Sequence, residues 1–467
     1  MKHLFKLMTA HVTQWYCYNN IRSVLVLMLV SALSFSDGEA FTAYATMIAL
    51  GDINSMMGAY YGDKIVGHHF AWLFGAFVLL FGYLITSFLF VKLNHNIVYL
   101  LNIISCGIGI ARCNGSSLVY TSINREAPEN QKHSYNSILY LMLFVASFLA
   151  YSTSGFINAK FGASGCFFVS FLLSGFSFSL FFVNEFSSIK KYFASSSLFA
   201  KNLLKIFSGF VGILVFGIVS FQYYAIVNYT LWICFLSSIA FLIYLVTKSA
   251  SYSAEDKKSI KMFIYYIFWF LIYFVFERQF GMVMPLVLSR NFDNNLFGFQ
   301  NIPVTTIMSI FQFLIIILSL IFFKFKTHDK LSNKQCLLFG FSASLFAFIT
   351  LYFGSILHTN HNISFPFIFG AILMFALSDL FVLNRIFSIC RVAPRKIHAL
   401  TTAVMMVAAA CSFHGARWVA KFVEIDKSQL TDKIFTLSVY KHGFLINIEL
   451  LSVAFLVLIF YCVKVRD

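Results

Sequence analysis

One apolar segment, which otherwise looks suited to lipid, contains an arginine that could bind a charged solute. The stretch "CGIGIARCNGSS" runs from Cys106 to Ser117, and no charge precedes Arg112 in it back to Ile97. A guanidinium can bind a carboxylate through two parallel hydrogen bonds. A charge at the centre of a bilayer costs about 2.5–3.5 kcal/mol on insertion scales, so such residues tend to face a cavity or a partner. We therefore predict that Arg112 faces a polar cavity.

Other ionisable side chains also fall within predicted membrane-spanning segments. They are Arg22, Arg278, Asp52, Glu277 and Asp379. Any single one of them could be half of a structural ion pair, and that alternative stays open. Buried pairs seldom add net stability, however, so the balanced set favours a shared polar pathway for a charged solute. Because arginine keeps its proton at working pH, the candidate proton carriers are Glu277, Asp379, Asp52 and His11.

The composition requires that these residues be held by helices in a membrane. The chain has 467 residues, a mean hydropathy of +0.81, 60% hydrophobic residues and 11% charged residues, whereas soluble proteins carry about 25% charge. A helix needs roughly 20 apolar residues to cross the hydrocarbon of a bilayer. The sequence predicts about fourteen such segments, and therefore an all-α polytopic membrane protein with the lipid bilayer as its solvent.

The net charge of +16 is explained by topology. With the N-terminus inside, most lysines and arginines fall in cytoplasmic loops, as the positive-inside rule requires. Both termini are then predicted to be cytoplasmic, and the charge gives no reason to expect nucleic-acid binding. Frequent phenylalanine, lysine and asparagine suggest a bacterial inner membrane.

Two polar stretches divide the chain. They are "NEFSSIKKYFASSS" from Asn184 to Ser197 and "KSASYSAEDKKSIK" from Lys248 to Lys261. We predict a six-helix bundle over 1–184, a two-helix insert over 185–259 that only faces lipid, and a second six-helix bundle over 260–467. Two six-helix bundles with a site near the midplane are typical of secondary transporters.

The sequence predicts neither a metal nor another cofactor. The nine cysteines are scattered without a CxxC pair, and the twelve histidines include the pairs His68-His69 and His358/His361, without nearby cysteine or carboxylate clusters. We interpret these histidines as solvated polar residues. No HExxH, GxSxG or similar catalytic pattern is present, so an intramembrane enzyme is not expected.

A loop motif resembles one of the major facilitator superfamily. "GAYYGDKIVGHH" lies between the second and third helices, with matches at Gly58, Gly62, Asp63, Lys64 and Gly67. Its form is most similar to the "GGxxADRxxG" of proton-dependent oligopeptide transporters. The glycines allow a tight turn, and Asp63 can cap the next helix or pair with a basic group.

Further stretches resemble the same family over nearly the whole chain. Helix four of the family carries "GxGxxKPN", and this chain has Gly107, Gly109, Arg112 and Asn114 at those positions. "FERQFGMVMPLVLSRNFD" is similar to the region of helix seven, and "IPVTT" to that of helix eight. "ALSDLFVLNRIFSICRVAPRK" is similar to helix ten, with Asp379 in place of the family glutamate.

Helix one departs from the family pattern "ExxERFxYYG". The best match is "HVTQWYCYNNIR", which puts His11 and Gln14 at the two glutamate positions and Trp15 at the arginine position, while Arg22 is kept. The acidic and basic trio that the family uses for proton coupling is therefore missing. Helix five also differs, with Phe144 where the family has asparagine.

The resemblance implies a secondary active transporter, not an enzyme, that imports di- and tripeptides with protons by alternating access. Arg112 would hold the peptide carboxylate and Asp379 its ammonium group. Asn114, Tyr16, Tyr18, Tyr140 and Glu277 would complete the binding site. Gating or structural roles are expected for Gly58, Gly62, Asp63, Gly67, Arg22, Arg278 and Pro285, the last as a helix kink.

The missing trio leaves alternatives open. The same fold could carry a modified amino acid, another organic anion or a drug-like amphiphile, or could couple to protons differently. A non-transporting sensor is a further alternative. The sequence does not fix the stoichiometry or the oligomeric state.

Overall fold

The computed structural model describes residues 2–128, 132–193, 196–248, 252–295, 299–324, 331–392 and 398–464. Within these ranges the chain is helical, and extended pairing is limited to isolated bridges such as Phe292 with Ile363. The predicted all-α class is therefore confirmed.

Eight helical elements form the first half of the chain. They are α1 Lys2–Leu33, α2 Asp37–Tyr60, a π-helical segment Tyr61–Val66, α3 Gly67–Leu93, α4 Ile97–Glu126, α5 Lys132–Phe193, α6 Ser196–Gln222 and α7 Tyr224–Lys248. Helix α5 consists of two arms that meet at Gly162, where φ is 68°. Glycine adopts this left-handed conformation without a steric penalty, so it allows the chain to turn back there.

The second half contains seven further helices. They are α8 Ala254–Met282, α9 Met284–Asn291, α10 Val304–Lys324, α11 Asn333–Ile356, α12 Phe365–Val392, α13 His398–Ala420 and α14 Lys433–Lys464. The interruption between α8 and α9 falls at Val283, two residues before Pro285. Proline lacks an amide hydrogen and clashes with the preceding turn, which accounts for the predicted kink.

Within the described ranges, eleven stretches are long and apolar enough to cross a membrane. The longest, Asp37–Glu126, contains α2, α3 and α4, and Ser137–Phe186 contains the turn at Gly162. The chain is thus an integral membrane protein. The count of fourteen spans and the cytoplasmic position of both termini remain predictions.

The chain forms two compact units. Unit 1 comprises Met1–Ser34 and Thr46–Val227, and unit 2 comprises Phe35–Ala45 and Asn228–Asp467. Helix α2 therefore begins in unit 2 and continues in unit 1, while the two insert helices α6 and α7 fall in different units. The division at 1–184, 185–259 and 260–467 remains a prediction.

Glycines allow α2, α3 and α4 to approach closely just before Arg112. A Cβ atom on Gly109 would lie 2.5 Å from Cβ of Asn54 in α2, and one on Gly75 of α3 would lie 2.5 Å from the amide nitrogen of Ala111. Small residues permit such close helix packing in lipid. The space beside these glycines is thus filled by neighbouring helices, and the backbone that carries Arg112 is held in place.

Helix α6, which belongs to unit 1, is hydrogen-bonded to other helical elements of that unit, so lipid-facing packing is not its sole contact. The Asn202 amide donates to the carbonyl of Ile65 in the π-helical segment (3.0 Å), and the Asn102 amide of α4 donates to the carbonyl of Leu214 (2.9 Å). Gly209 leaves space for Tyr61, since a Cβ atom there would lie 2.2 Å from the Tyr61 hydroxyl.

Candidate functional site

Arg112 is paired with an acid from a neighbouring helix. Its guanidinium makes a direct ion pair with Asp52 of α2, and it also donates to the Ser55 hydroxyl at 3.1 Å. The Arg112 side chain is 20% exposed and that of Asp52 is 10% exposed. Asp52 and Ser55 lie three residues apart on one face of α2, so both reach the same guanidinium. Desolvation at this site strengthens the attraction between the two charges.

A small cavity lies beside Arg112 within unit 1. Its volume is about 20 Å³, which is room for roughly one water molecule. It is lined by His11, Gln14, Trp15, Tyr18, Leu79, Ile108, Ala111 and Arg112. The structure therefore brings together three of the residues singled out from the sequence: Arg112, His11 and Tyr18.

His11 combines burial with an incompletely used ring. The residue is 4% exposed, and its Nε2 lies 3.2 Å from the Ser116 hydroxyl. Its Nδ1 makes no hydrogen bond to any residue that the structure describes. This nitrogen lies against Gly115 of α4, where an added Cβ atom would come within 2.5 Å of it. A buried polar atom without a partner costs free energy.

The other helix-one positions attach α1 to α5. The Gln14 amide donates to the Ser174 hydroxyl (3.0 Å), and the Trp15 indole donates to the Ser147 hydroxyl (2.8 Å). The Tyr16 hydroxyl lies 2.6 Å from that of Thr153. Gln14 and Trp15 thus make neutral hydrogen bonds between two helices, at two positions where the family pattern has charged residues.

Asn114 of α4 contacts both α2 and α3 at the loop motif. It is fully buried, and its amide donates to the Gly58 carbonyl at 2.8 Å. Its oxygen lies 2.8 Å from Nδ1 of His68, whose Nε2 lies 3.1 Å from Asp63. Asp63 thus contacts a basic group, as the motif suggested, and Gly67 adopts a positive φ of 77°. Asn114 holds this junction together, and it is not among the residues that line the cavity.

The three predicted tyrosines occupy different environments. Tyr18 is buried at the cavity, and the Arg22 guanidinium carbon lies 5.9 Å from the centre of its ring. Tyr140 is 37% exposed, and its hydroxyl accepts from that of Tyr120 at 2.8 Å. Only Tyr18 of the three lines the cavity beside Arg112.

Unit 2 holds the second predicted anchor. Asp379 of α12 is buried, and its carboxylate accepts a hydrogen bond of 2.7 Å from the Tyr273 hydroxyl of α8. Glu277 lies one turn after Tyr273 on α8 and is also buried. Asp379 therefore lies beside the part of α8 that carries Glu277, and the Tyr273 phenol donates to Asp379.

Arg278 is placed between two aromatic rings. Its guanidinium carbon lies 4.3 Å from the ring centre of Phe274 and 4.4 Å from that of Phe413 in α13. A guanidinium nitrogen is 3.0 Å from the Glu277 carboxylate. Aromatic faces attract a cation without neutralising it, so this arginine keeps hydrogen-bonding capacity.

A charged cluster in unit 2 was not predicted. The Arg290 guanidinium makes two bonds of 2.7 Å to the Asp37 carboxylate and a third of 2.7 Å to the Tyr440 hydroxyl. The sequence feature that points to this cluster is weak, because Asp37 is simply an acid in the first turn of α2. Arg417 of α13 is also buried and pairs with Glu424 at 2.5 Å.

The part of the chain that the structure describes contains no group of three or more His, Cys, Asp or Glu side chains arranged to hold a metal ion. The stretch that resembles helix ten of the family ends within residues 393–397, which lie outside the described ranges.

Comparisons with known proteins identify related transporters. No protein-family model matches the chain. A dipeptide and tripeptide permease A of Proteus mirabilis is 30% identical over 148 residues, which is 31% of this chain and 29% of that protein. The same permease of Citrobacter koseri is 23% identical over 64% of this chain and 58% of its own length. The Yersinia pestis permease is 21% identical over 95% of this chain and 88% of its own length.

Solved structures show the same fold. Tetrameric PepTSo2 matches with a TM-score of 0.78 at 18% identity and covers 98% of this chain and 97% of its own. A POT family transporter in complex with 5-aminolevulinic acid matches with a TM-score of 0.74 at 16% identity, over 97% and 96% of the two chains. A peptide transporter in complex with alafosfalin matches with a TM-score of 0.75 at 16% identity, over 97% and 94%.

The predicted resemblance to proton-dependent oligopeptide transporters is thereby confirmed, and the chain shares the fold of these solved transporters. The first two permeases align over less than two thirds of their own length. The related proteins are transporters, and the prediction that this chain is not an enzyme is confirmed.

Proposed function

We propose that the protein is a secondary active transporter that imports di- and tripeptides with protons by alternating access, across a bacterial inner membrane. The observation that carries the proposal is the buried Arg112–Asp52 pair beside a cavity that His11 and Tyr18 also line. The similarity to dipeptide and tripeptide permeases supports the choice of substrate.

Arg112 is the proposed anchor for the peptide carboxylate. Asp52 already occupies part of its guanidinium, so an incoming carboxylate competes with Asp52 for the same donors. A proton on Asp52 removes its negative charge and favours the substrate in that competition. One proton taken up for each carboxylate bound keeps the site electrically balanced. In this mechanism Asp52, on helix two, replaces the acids missing from helix one.

Asp379 is the proposed anchor for the peptide ammonium group. Its carboxylate is held in position by the Tyr273 hydroxyl and needs no large movement to accept a further donor. Glu277 and His11 remain further candidates for carrying protons. His11 is among the residues that line the cavity, and its Nδ1 makes no hydrogen bond to a described residue.

The cavity of about 20 Å³ would admit a water molecule and not a peptide. The proposed substrate must therefore reach Arg112 in a more open conformation, as alternating access requires. The bonds of Asp37 to Arg290 hold the first turn of α2 within unit 2, so we infer that they change when α2 moves.

Uptake of a labelled dipeptide into proteoliposomes, with and without an inward proton gradient, tests the proposal. We expect gradient-driven uptake by the wild type, and at least a tenfold loss in Arg112→Ala and Asp379→Ala. Asp52→Asn should retain exchange of peptide at equal pH while losing the response to the gradient. Two exposed charged residues outside the proposed site serve as controls: Lys92→Ala at the end of α3 and Asp426→Ala.

Failure of uptake in correctly inserted wild-type protein would contradict peptide import. A shifted substrate is the alternative that the structure motivates, because Gln14 and Trp15 use neutral hydrogen bonds where the family has charges. A binding screen of small zwitterions and organic anions would then follow. Binding without flux for every compound would instead indicate a sensor.

A further inference from the structure

Four titratable side chains from four helices meet within unit 1, away from the cavity. They are His3 at the start of α1, His69 at the start of α3, Glu126 at the end of α4 and Glu185 in the second arm of α5. We call this set the inner cluster, because the predicted topology puts these helix ends on the cytoplasmic side. None of the four belongs to the proposed binding site.

His3 lies between two carboxylates. Its Nδ1 is 2.7 Å from an oxygen of Glu126, and its Nε2 is 2.5 Å from an oxygen of Glu185. The other oxygen of Glu185 lies 3.1 Å from Nε2 of His69. Glu185 is 3% exposed, and Asn184 donates a further hydrogen bond to it at 3.0 Å. The cluster thus connects four helices through one buried carboxylate and one imidazole ring.

The geometry fixes the number of protons that the arrangement needs. A neutral imidazole has one N–H group, and an ionised carboxylate only accepts hydrogen bonds. Both contacts of His3 are therefore hydrogen bonds only if the ring carries two protons or if one of the glutamates carries one. Either way, the closed cluster holds one proton more than neutral His3 with ionised Glu126 and Glu185. Without that proton, one ring nitrogen faces a carboxylate with no hydrogen between them.

The surrounding charges do not replace that proton. Arg125 reaches Glu126 at 3.0 Å but lies 67% exposed, and His68 is directed at Asp63 and Asn114. The N-terminal amine is a further hydrogen-bond partner of Glu126, and it also changes its charge near pH 8. Exposed lysines on α1 and α5 include Lys2, Lys6 and Lys190. Lysine and arginine keep their charge near neutral pH, whereas histidine changes its charge between about pH 5 and 8. The proton state of the cluster therefore follows the pH of the adjoining solution.

We propose that the inner cluster is a pH-sensitive latch on unit 1. A proton shared by His3, Glu126 and Glu185 holds the ends of α1, α4 and α5 together, and loss of this proton in alkaline solution releases them. The sign follows from the proton count: acid favours the closed cluster and alkali favours the open one. In the transporter proposed above, and resting on that function, an acidic cytoplasm would slow opening of this end and so limit proton-driven import.

Thermal unfolding of the purified full chain in detergent tests the latch without any substrate. We expect the melting temperature of the wild type to fall by about 2–4 °C more between pH 6 and pH 8.5 than that of His3→Gln. Glu185→Gln should lose the same pH-dependent difference. His3→Arg, which stays charged, should retain the more stable state at both pH values. His442→Gln, an exposed histidine on α14, is the matched control and should behave like the wild type.

The latch is excluded if His3→Gln and Glu185→Gln both keep the full pH response of the wild type.

A second measurement addresses regulation: exchange of labelled dipeptide at equal pH on both sides of the membrane. We expect His3→Gln to exchange at least twofold faster than the wild type at pH 6 and equally fast at pH 8.5. If the wild type exchanges no peptide at all, the proposed function fails, while the unfolding experiment still decides whether the latch exists.

Discussion

The two predicted substrate anchors, one in each unit, are held in different ways. In unit 1 the cation Arg112 is paired directly with the anion Asp52, with Ser55 as an additional partner. In unit 2 the anion Asp379 accepts a hydrogen bond from a neutral phenol, Tyr273. A direct ion pair cancels charge locally, whereas a phenol orients a carboxylate and leaves its charge in place.

From this difference we predict which unit responds more strongly to protons. Protonation of Asp52 changes the hydrogen bonding of Arg112 at once, because the two groups are in direct contact. The Tyr273 hydroxyl that donates to Asp379 is neutral, and a neutral donor orients a carboxylate without competing for its charge. We therefore expect proton dependence to reside mainly in unit 1 and recognition of a substrate cation mainly in unit 2.

The largest effect should come from breaking the pair in unit 1. Arg112→Ala leaves Asp52 as a buried charge without its cation, and removing one partner of such a pair costs about 3–5 kcal/mol. The double variant Arg112→Ala/Asp52→Ala should recover most of this loss, as measured by thermal unfolding. If the double variant were less stable than Arg112→Ala alone, the pair would not be the main interaction of Asp52.

A smaller effect is expected for the acid in unit 2. Tyr273→Phe removes the hydroxyl donor from Asp379 and should cost about 1–3 kcal/mol in unfolding free energy. Peptide affinity should fall, while the pH profile of uptake should shift less than in Asp52→Asn, because the Arg112–Asp52 pair is unchanged. The measurement is uptake at a series of peptide concentrations and pH values. A shift of the pH profile as large as that of Asp52→Asn would contradict the assignment of proton dependence to unit 1.

The smallest effect should come from the arginine between rings. Arg278→Lys keeps the charge but loses the planar guanidinium, and we expect a cost of about 0.5–2 kcal/mol. Phe413→Leu removes one of the two rings and offers a matched test of the same contact. Unfolding of both variants in detergent provides the comparison. A loss as large as that of Arg112→Ala would show that the two units hold their cations equally tightly.

The sequence predicted which charged residues are buried better than it predicted which residues contact them. Arg112 and Asp379 stood out because an ionisable residue in an apolar segment is costly wherever the helix packs. Asp52 was recognised only as a proton carrier, since the contact between α2 and α4 depends on close approach at glycines such as Gly109. Asn114 follows Arg112 by two residues and so lies on another face of α4, where it contacts Gly58 and His68.

The inner cluster and the bonds of Asp37 could not be found from the sequence. His3 is separated from Glu126 by 123 residues and from Glu185 by 182 residues. Such pairs leave no local pattern, and His69 by itself was typical of a solvated loop residue. Only the packing of four helix ends brings these groups within hydrogen-bonding distance.

The attachment of α6 to unit 1 determines where the chain can be divided for experiments. A fragment ending at residue 184 would lose Asn202 and would uncover Tyr61 and Asn102, which α6 otherwise covers. A fragment that ends after Gln222 keeps these contacts. The short connection to α7, around Tyr223, is therefore the position at which to separate the gene into two co-expressed halves, or to insert a protease site that cuts between them.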